Sequence, residues 1–240
     1  PPGCPDWMGL EIAGVIIEMG DEAKEKSNYK IGDKVCALLG GGGYAEYANV
    51  KYDMLMPVPE NCSMVEAAAI PEAFATAYLN LFLEGKAEKG NTILVTAGGS
   101  GLASVIIPMA KAFGARVITS VLSDEIAERI KPLGADVVIN STTEDVASVL
   151  RSEEENGHPV NVSMDCLSGE TLGKSLPYMA RGGYWIVIST LAGIETNVQL
   201  RPLLTKGLHL VGSMLRNRTP QFKAYLLSEL VKNVWPKLED

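Results

Sequence analysis

Residues 95–104 read VTAGGSGLAS, and their types and spacing point to one definite chemistry. Gly98, Gly99 and Gly101 are small enough to let backbone approach a pyrophosphate, and they stand between a strand-like run and a helix-like run. The start of such a helix offers N–H groups and the positive end of a dipole, which together favour an anion. Ala103 stands where the fingerprint has its last glycine, a position that needs smallness rather than positive φ. The pattern predicts a dinucleotide site over Gly98, Gly99, Ser100, Gly101 and Leu102, with a tight turn that binds nothing as the alternative.

An NAD site closes its second strand with Asp or Glu, which accepts from the ribose 2′-hydroxyl. Here the second strand closes on Thr119, Ser120, Val121, Leu122 and Ser123, and the first acid, Asp124, opens the next helix. A neutral end disfavours strict NAD use and leaves room for a 2′-phosphate. Arg129 and Lys131 are the cations nearest in sequence, and each reads equally as a solvated helix residue.

No other constellation reaches this specificity. His158 in a Gly-His-Pro turn and His209 in a strand have no catalytic partner in sequence. Cys4, Cys36, Cys62 and Cys166 are scattered without a CxxC pair and read as small hydrophobes of a reduced, cytoplasmic protein. A net charge of −8 argues against a nucleic-acid surface. Residues 93–110 carry no charge, but three glycines, a proline and several hydroxyls make them a strand, turn and helix rather than a membrane span. Pro1, Pro2 and Gly3 open into polar sequence without a leader pattern.

Two kinds of element surround the glycine turn. Up to about residue 70 the chain is β-rich, with strands expected within 11–20 and 32–39 and, after four glycines, over 45–50. Ser63 and Glu66 form a capping box opening a helix. A helix over 75–90 follows. From residue 91 strands are predicted over 91–97, 115–122, 135–140, 160–167, 184–190 and 209–215. Helices are predicted over 101–114, 123–134, 142–157 and 169–183. This alternation means βαβ units and a parallel sheet, an α/β fold. Pro108 should kink the helix after the glycine turn. The acidic run 153–155 reads as a solvated helix end, and Asp165 as a strand end able to cap the next turn.

The stretches GLEIAGVIIEMG, IGDKVCALLGGGGYAEYA, PVPENCSMVEAAAIPEAFATAYLNLF, KAEKGNTILVTAGGSGLAS and LGADVVIN, with SMLRNR near the end, cover nearly the whole chain. Together they resemble the zinc-free quinone oxidoreductases of the medium-chain dehydrogenase/reductase superfamily, nearest to the tumour-suppressor-inducible NADPH:quinone reductase subgroup. The resemblance implies a partial GroES-like catalytic domain over 1–73 and a dinucleotide-binding Rossmann domain over 74–240. It implies NADPH, with NADH as a second cofactor, bound in a cleft between the domains. Quinone or enone substrates and a homodimer paired through the strand near 209–214 are implied as well. Where zinc-dependent relatives carry Gly-His-Glu, this chain has Gly9, Leu10 and Glu11, and leucine cannot bind zinc. No metal and no catalytic side chain are therefore expected.

By the same resemblance Thr76, Ser123, Ser189, Leu191, Leu215 and Arg216 border the cofactor, with residues 188–191 presenting backbone to its carboxamide. Thr76 also reads as a helix hydroxyl bonded to its own backbone. Tyr44 is expected to pack behind the glycine loop, with a place on the substrate side as the alternative. Relatives set Gly, Lys and Tyr around the 2′-phosphate where this chain has Leu122, Ile126 and Ser141, so a weak NADPH preference or dual use is expected. Relatives also carry further strands before and after the region matched here, so the catalytic domain is expected to be incomplete. A dinucleotide-binding protein without catalysis, or an inactive truncated homologue, is the alternative function.

Overall fold

The computed structural model describes residues 5–239, and the chain divides into two compact units. One runs to Thr76 and is rejoined by the chain from Leu215 on; the other is Ala77–Met214. Cys4, Pro1, Pro2 and Gly3 lie outside the described residues.

In the first unit β1 (Glu11–Val15), β2 (Lys34–Leu38) and β3 (Leu55–Pro57) form an antiparallel sheet in that order. The register sets Ala13 opposite Cys36 and Cys36 opposite Met56. Between β1 and β2, α1 (Asp21–Lys26) opens on two acids and closes on lysine, complementing its dipole. The capping box forms as its spacing predicts: at the start of α2 (Met64–Ala67), Ser63 Oγ accepts from Glu66 N at 3.3 Å and Glu66 Oε2 accepts from Ser63 N at 2.9 Å. Next, α3 (Pro71–Tyr78) opens on proline, whose missing N–H costs nothing in a first turn. The strand expected over 45–50 does not form. Gly42, at φ +85°, bends the chain, Ala45 N turns back to Gly43 O, and no described strand offers this stretch a ladder.

The second unit opens on a π-helical turn, Leu79–Glu84, which ends the helix expected to run to residue 90. Its parallel sheet comprises β4 (Thr92–Val95), β5 (Arg116–Val121), β6 (Val137–Asn140), β7 (Val160–Asp165), β8 (Met179–Val187) and β9 (His209–Gly212). Spatial order is β6-β5-β4-β7-β8-β9, with every pairing parallel. Connecting helices are α4 (Ala103–Ala112), α5 (Asp124–Ile130), α6 (Val146–Glu155), α7 (Gly169–Ser175) and α8 (Leu200–Lys206). All of β4 is buried, as a central strand covered on both faces must be, and Leu94, Ile118, Ile139, Leu150 and Trp185 share one core cluster. Strand order reverses at β4, so the crevice beyond its carboxyl end is where such sheets take ligands.

Three stretches depart from expectation. The helix expected over 169–183 ends at Ser175; a 3₁₀ turn with Pro177 follows, and β8 starts at Met179. The acidic run 153–155 is solvated only at its end: Glu153 meets Arg116 at 3.0 Å and Glu154 meets Lys206, both partly buried, while Glu155 stays exposed and meets Arg151 at 2.9 Å. Residues 215–239 pack with the first unit, not with the Rossmann sheet. The cause is α9 (Pro220–Glu239), whose Trp235 Nε1 donates to Pro57 O at 2.8 Å beside β3. Helix α4 is continuous through Pro108, which faces solvent, and Ser104 O goes without its usual helical donor.

Candidate functional site

The glycine turn lies at the carboxyl end of β4 and leads into α4. Its glycines have different reasons to be glycine. A Cβ on Gly98 would stand 2.3 Å from Thr119 Oγ1, which itself donates to Val95 O at 2.7 Å. A Cβ on Gly99 would stand 2.7 Å from Ile126 Cγ2. A Cβ on Gly101 would meet nothing within 4 Å. Two glycines are thus filled by the chain's own side chains, and the third faces open space. Ala97, just before them, holds φ +56°, a strained setting for a non-glycine residue.

Helix α4 begins beside that opening. Ser100 Oγ accepts from Ala103 N at 3.2 Å, while Leu102, at the N-cap position, makes no side-chain cap. Ser104 N and Val105 N donate to Ser100 O and Leu102 O, so the donors an anion can meet are those of the turn just before the helix, at Gly101 and Leu102, backed by the positive end of the α4 dipole. Ala103 is fully buried, as the helix-packing position requires. A pyrophosphate fits the donor set and the open Gly101 face.

At the end of β5, Leu122 projects into solvent and Ser123 caps α5, its Oγ accepting from Ile126 N at 3.2 Å. Ser141 Oγ donates to Val121 O at 2.9 Å. At the end of β7, Asp165 is fully buried and caps the turn that follows. Its Oδ1 accepts from Thr96 Oγ1 at 3.0 Å, Leu167 N at 2.9 Å and Ser168 N at 3.0 Å, and its Oδ2 from Trp185 Nε1 at 2.8 Å. Ser168 adopts φ 58°, ψ −139°, and its Oγ donates to Ser189 O at 2.9 Å. Ser189 N donates to Asp165 O and Leu191 N to Cys166 O, so both N–H groups serve this loop, while the Leu191 side chain is exposed. Burial, and then the Asp165 carboxylate, push the Cys166 thiol up, which makes it a poor nucleophile at neutral pH.

Three expected contacts lie in the first unit. Thr76 is half-buried on α3; Leu215 is buried and Arg216 exposed in one 3₁₀ turn. One turn before Thr76, Glu72 is a group that sequence reading missed. Its N donates to Glu11 Oε2 at 2.9 Å. Burial, then the Glu11 carboxylate, raise its pKa against the opposing pull of Lys223 and Arg216. Tyr44 is not packed behind a loop: it is 75% exposed. His209 stacks on Tyr184 with ring centroids 4.2 Å apart.

Residues 101–232, more than half of the chain, match the family model of zinc-binding dehydrogenases, and residues 1–60 match the alcohol dehydrogenase GroES-like domain. The chain belongs to the zinc-binding dehydrogenase family. Within this family and its medium-chain superfamily it is quinone oxidoreductase-like. The quinone oxidoreductase-like protein 2 homolog of Nematostella vectensis is 32% identical over 214 residues, 88% of this chain and 57% of that protein. A squalestatin tetraketide synthase of Cochliobolus lunatus is 31% identical over 204 residues, 84% of this chain and 8% of the synthase. The chain thus spans less than two thirds of the length of either relative. The solved structure of Escherichia coli quinone oxidoreductase complexed with NADPH matches with TM-score 0.81 at 26% identity, covering 100% of this chain and 72% of that one. Despite the family's name, no three His, Cys, Asp or Glu side chains cluster as a zinc site requires among the described residues.

Proposed function

We propose that the chain serves an NADPH-dependent reductase of quinones or α,β-unsaturated carbonyls, acting by hydride transfer without zinc. The observation that carries this reading is the open face of Gly101 at the start of α4, beyond the switch point of a parallel sheet. The family match and the likeness to a quinone oxidoreductase complexed with NADPH support it. Bound there, the cofactor supplies the hydride, and the protein supplies position and electrostatics. The backbone of the turn at Gly101 and Leu102 holds the pyrophosphate, with the positive end of the α4 dipole behind it. The Asp165 hydrogen bonds fix the loop that carries Ser168 and, through it, the Ser189 carbonyl. Thr76, Ser123, Leu191, Leu215 and Arg216 stand as further contacts on the resemblance alone. Leu10 in place of a zinc-binding histidine supports metal independence.

A second reading, reduction of an enoyl thioester, is supported by the likeness to the solved JamJ enoyl reductase, with TM-score 0.80 at 26% identity. The isolated cysteines suit a reducing compartment such as the cytoplasm. A homodimer is supported by the unpaired outer edge of β9 with Leu210 exposed on it, and light scattering showing a stable monomer would remove it. The deciding experiment titrates the purified chain with NADPH and NADH by nicotinamide fluorescence, then follows NADPH oxidation with a quinone, a simple enone and an enoyl thioester. Micromolar binding with turnover is the expected result, and the preferred acceptor separates the two readings. Binding without turnover leaves a dinucleotide-binding protein; no binding overturns the proposal.

A further inference from the structure

Given the dinucleotide reading, the adenosine ribose can carry either a free 2′-hydroxyl or a 2′-phosphate, and the chain around β5 distinguishes them. In this fold the ribose is met at the carboxyl end of the second parallel strand, by an acid for the hydroxyl or by a nearby arginine for the phosphate. The end of β5 supplies no acid: Val121, Leu122 and Ser123 follow one another there. The first carboxylate, Asp124, is turned to Asn140, whose Nδ2 donates to Asp124 Oδ1 at 2.7 Å. The strand end itself thus carries no carboxylate, and the first one beyond it is oriented by Asn140.

Two cations follow on α5 and its C-cap. Lys131 Nζ lies 2.6 Å from Glu128 and is paired. Arg129 is exposed and makes no ion pair among the described residues. Helical side chains point back toward the helix N-terminus. Arg129 follows this rule far enough that its terminal guanidinium nitrogen lies 3.8 Å from the point a Cβ on Gly99 would occupy. Ile126, one turn earlier, fills the space beside Gly99 with its Cγ2. The aliphatic residue thus packs against Gly99 while the guanidinium comes within van der Waals reach of the same point.

We propose that Arg129 is the residue that selects the phosphorylated cofactor, its guanidinium taking the 2′-phosphate of NADPH. The planar donor pair suits phosphate oxygens bidentately, and the absence of a competing carboxylate leaves both donors available. This rests on the dinucleotide reading above and adds a determinant that the spacing of the glycines does not contain.

The test is equilibrium binding rather than turnover. Wild type, Arg129→Gln and Arg129→Lys are titrated with NADPH, NADH, 2′,5′-ADP and 5′-AMP, after melting curves confirm that the variants fold alike. Wild type should bind NADPH and 2′,5′-ADP more tightly than NADH and 5′-AMP. Arg129→Gln should weaken the 2′-phosphorylated pair by about tenfold or more and leave the other two unmoved, with Arg129→Lys between. An equal loss for NADPH and NADH would place Arg129 at the pyrophosphate or in support of the turn, and would overturn the proposal. So would a wild type that binds NADPH and NADH equally tightly. A wild type that binds none of the four overturns the dinucleotide reading itself, and this inference with it.

Discussion

The chain has two glycine-rich stretches, one in each unit, and they differ at a single glycine. In the first unit, the chain consumes the space that glycine leaves: a Cβ on Gly42 would strike Pro5, and one on Gly43 would stand 2.9 Å from Glu11 O. Gly43 N also donates to Gly9 O at 2.9 Å. In the second unit Gly98 and Gly99 are filled in the same way, but Gly101 is not. Glycine content alone therefore carries no information about ligands. What separates a packing turn from a binding turn is one glycine whose missing side chain nothing replaces, set between the carboxyl end of a parallel strand and the start of a helix; Gly20, equally open before α1, has no such strand behind it.

The sharpest way to break this comparison is to add one methyl group at each kind of glycine. Gly98→Ala should destabilise the fold by about 1–3 kcal/mol, because its Cβ overlaps Thr119 Oγ1. Denaturant unfolding reads the loss, and adding Thr119→Ala should recover part of it as a coupling between neighbours. Gly101→Ala should leave stability within about 0.5 kcal/mol yet weaken dinucleotide binding roughly tenfold. If its melting point drops with that of Gly98→Ala, or its binding is untouched, the distinction between filled and open glycines fails.

Charge extends the contrast between the units with smaller effects. Asp136 accepts from Lys111 Nζ and from Val117 N. Burial opposes its ionisation, but these two donors prevail and its pKa falls below the ordinary 3.8. A depressed carboxylate pKa adds stability above the unfolded value, which is lost as pH falls through the folded one. Asp136→Asn should therefore cost about 1 kcal/mol at neutral pH, and the gap to wild type should close in acid. Glu72 has the opposite sign, since burial and Glu11 raise its pKa above 4.5. Its ionised form is disfavoured in the fold, so Glu72→Gln should melt slightly higher than wild type at neutral pH. That gain should fade as pH falls to the unfolded value.

Much of the fold was legible where its signals are local. Short apolar runs such as 92–95 and amphipathic helices such as α5 show their period directly, and Ser63 with Glu66 announces a cap from four residues. The strand expected over 45–50 had the right residues but no described partner strand, and a single-strand pattern cannot report on its ladder. Residues 179–183 were read as the tail of a helix, because their two glycines masked the start of a long strand. The terminal helix α9 binds the first unit through Trp235, a contact across most of the sequence. The same limit applies at the site. The glycine turn was visible as a motif, whereas the reach of Arg129 to Gly99 and the enclosure of Asp165 depend on how neighbouring βα units stack.

Ser168 bears on how the protein tolerates change. It keeps a backbone conformation that costs a non-glycine residue roughly 1–3 kcal/mol, held in place by the Asp165 carboxylate and the Ser189 carbonyl. Glycine at this position would release most of that strain in a single mutational step, at the cost of the hydrogen bond that Ser168 Oγ donates to Ser189 O. In evolutionary terms Ser168 is a latent suppressor site. A lineage that acquires glycine there gains a margin against substitutions elsewhere that would otherwise unfold the sheet, and its descendants can explore sequence that their ancestor could not.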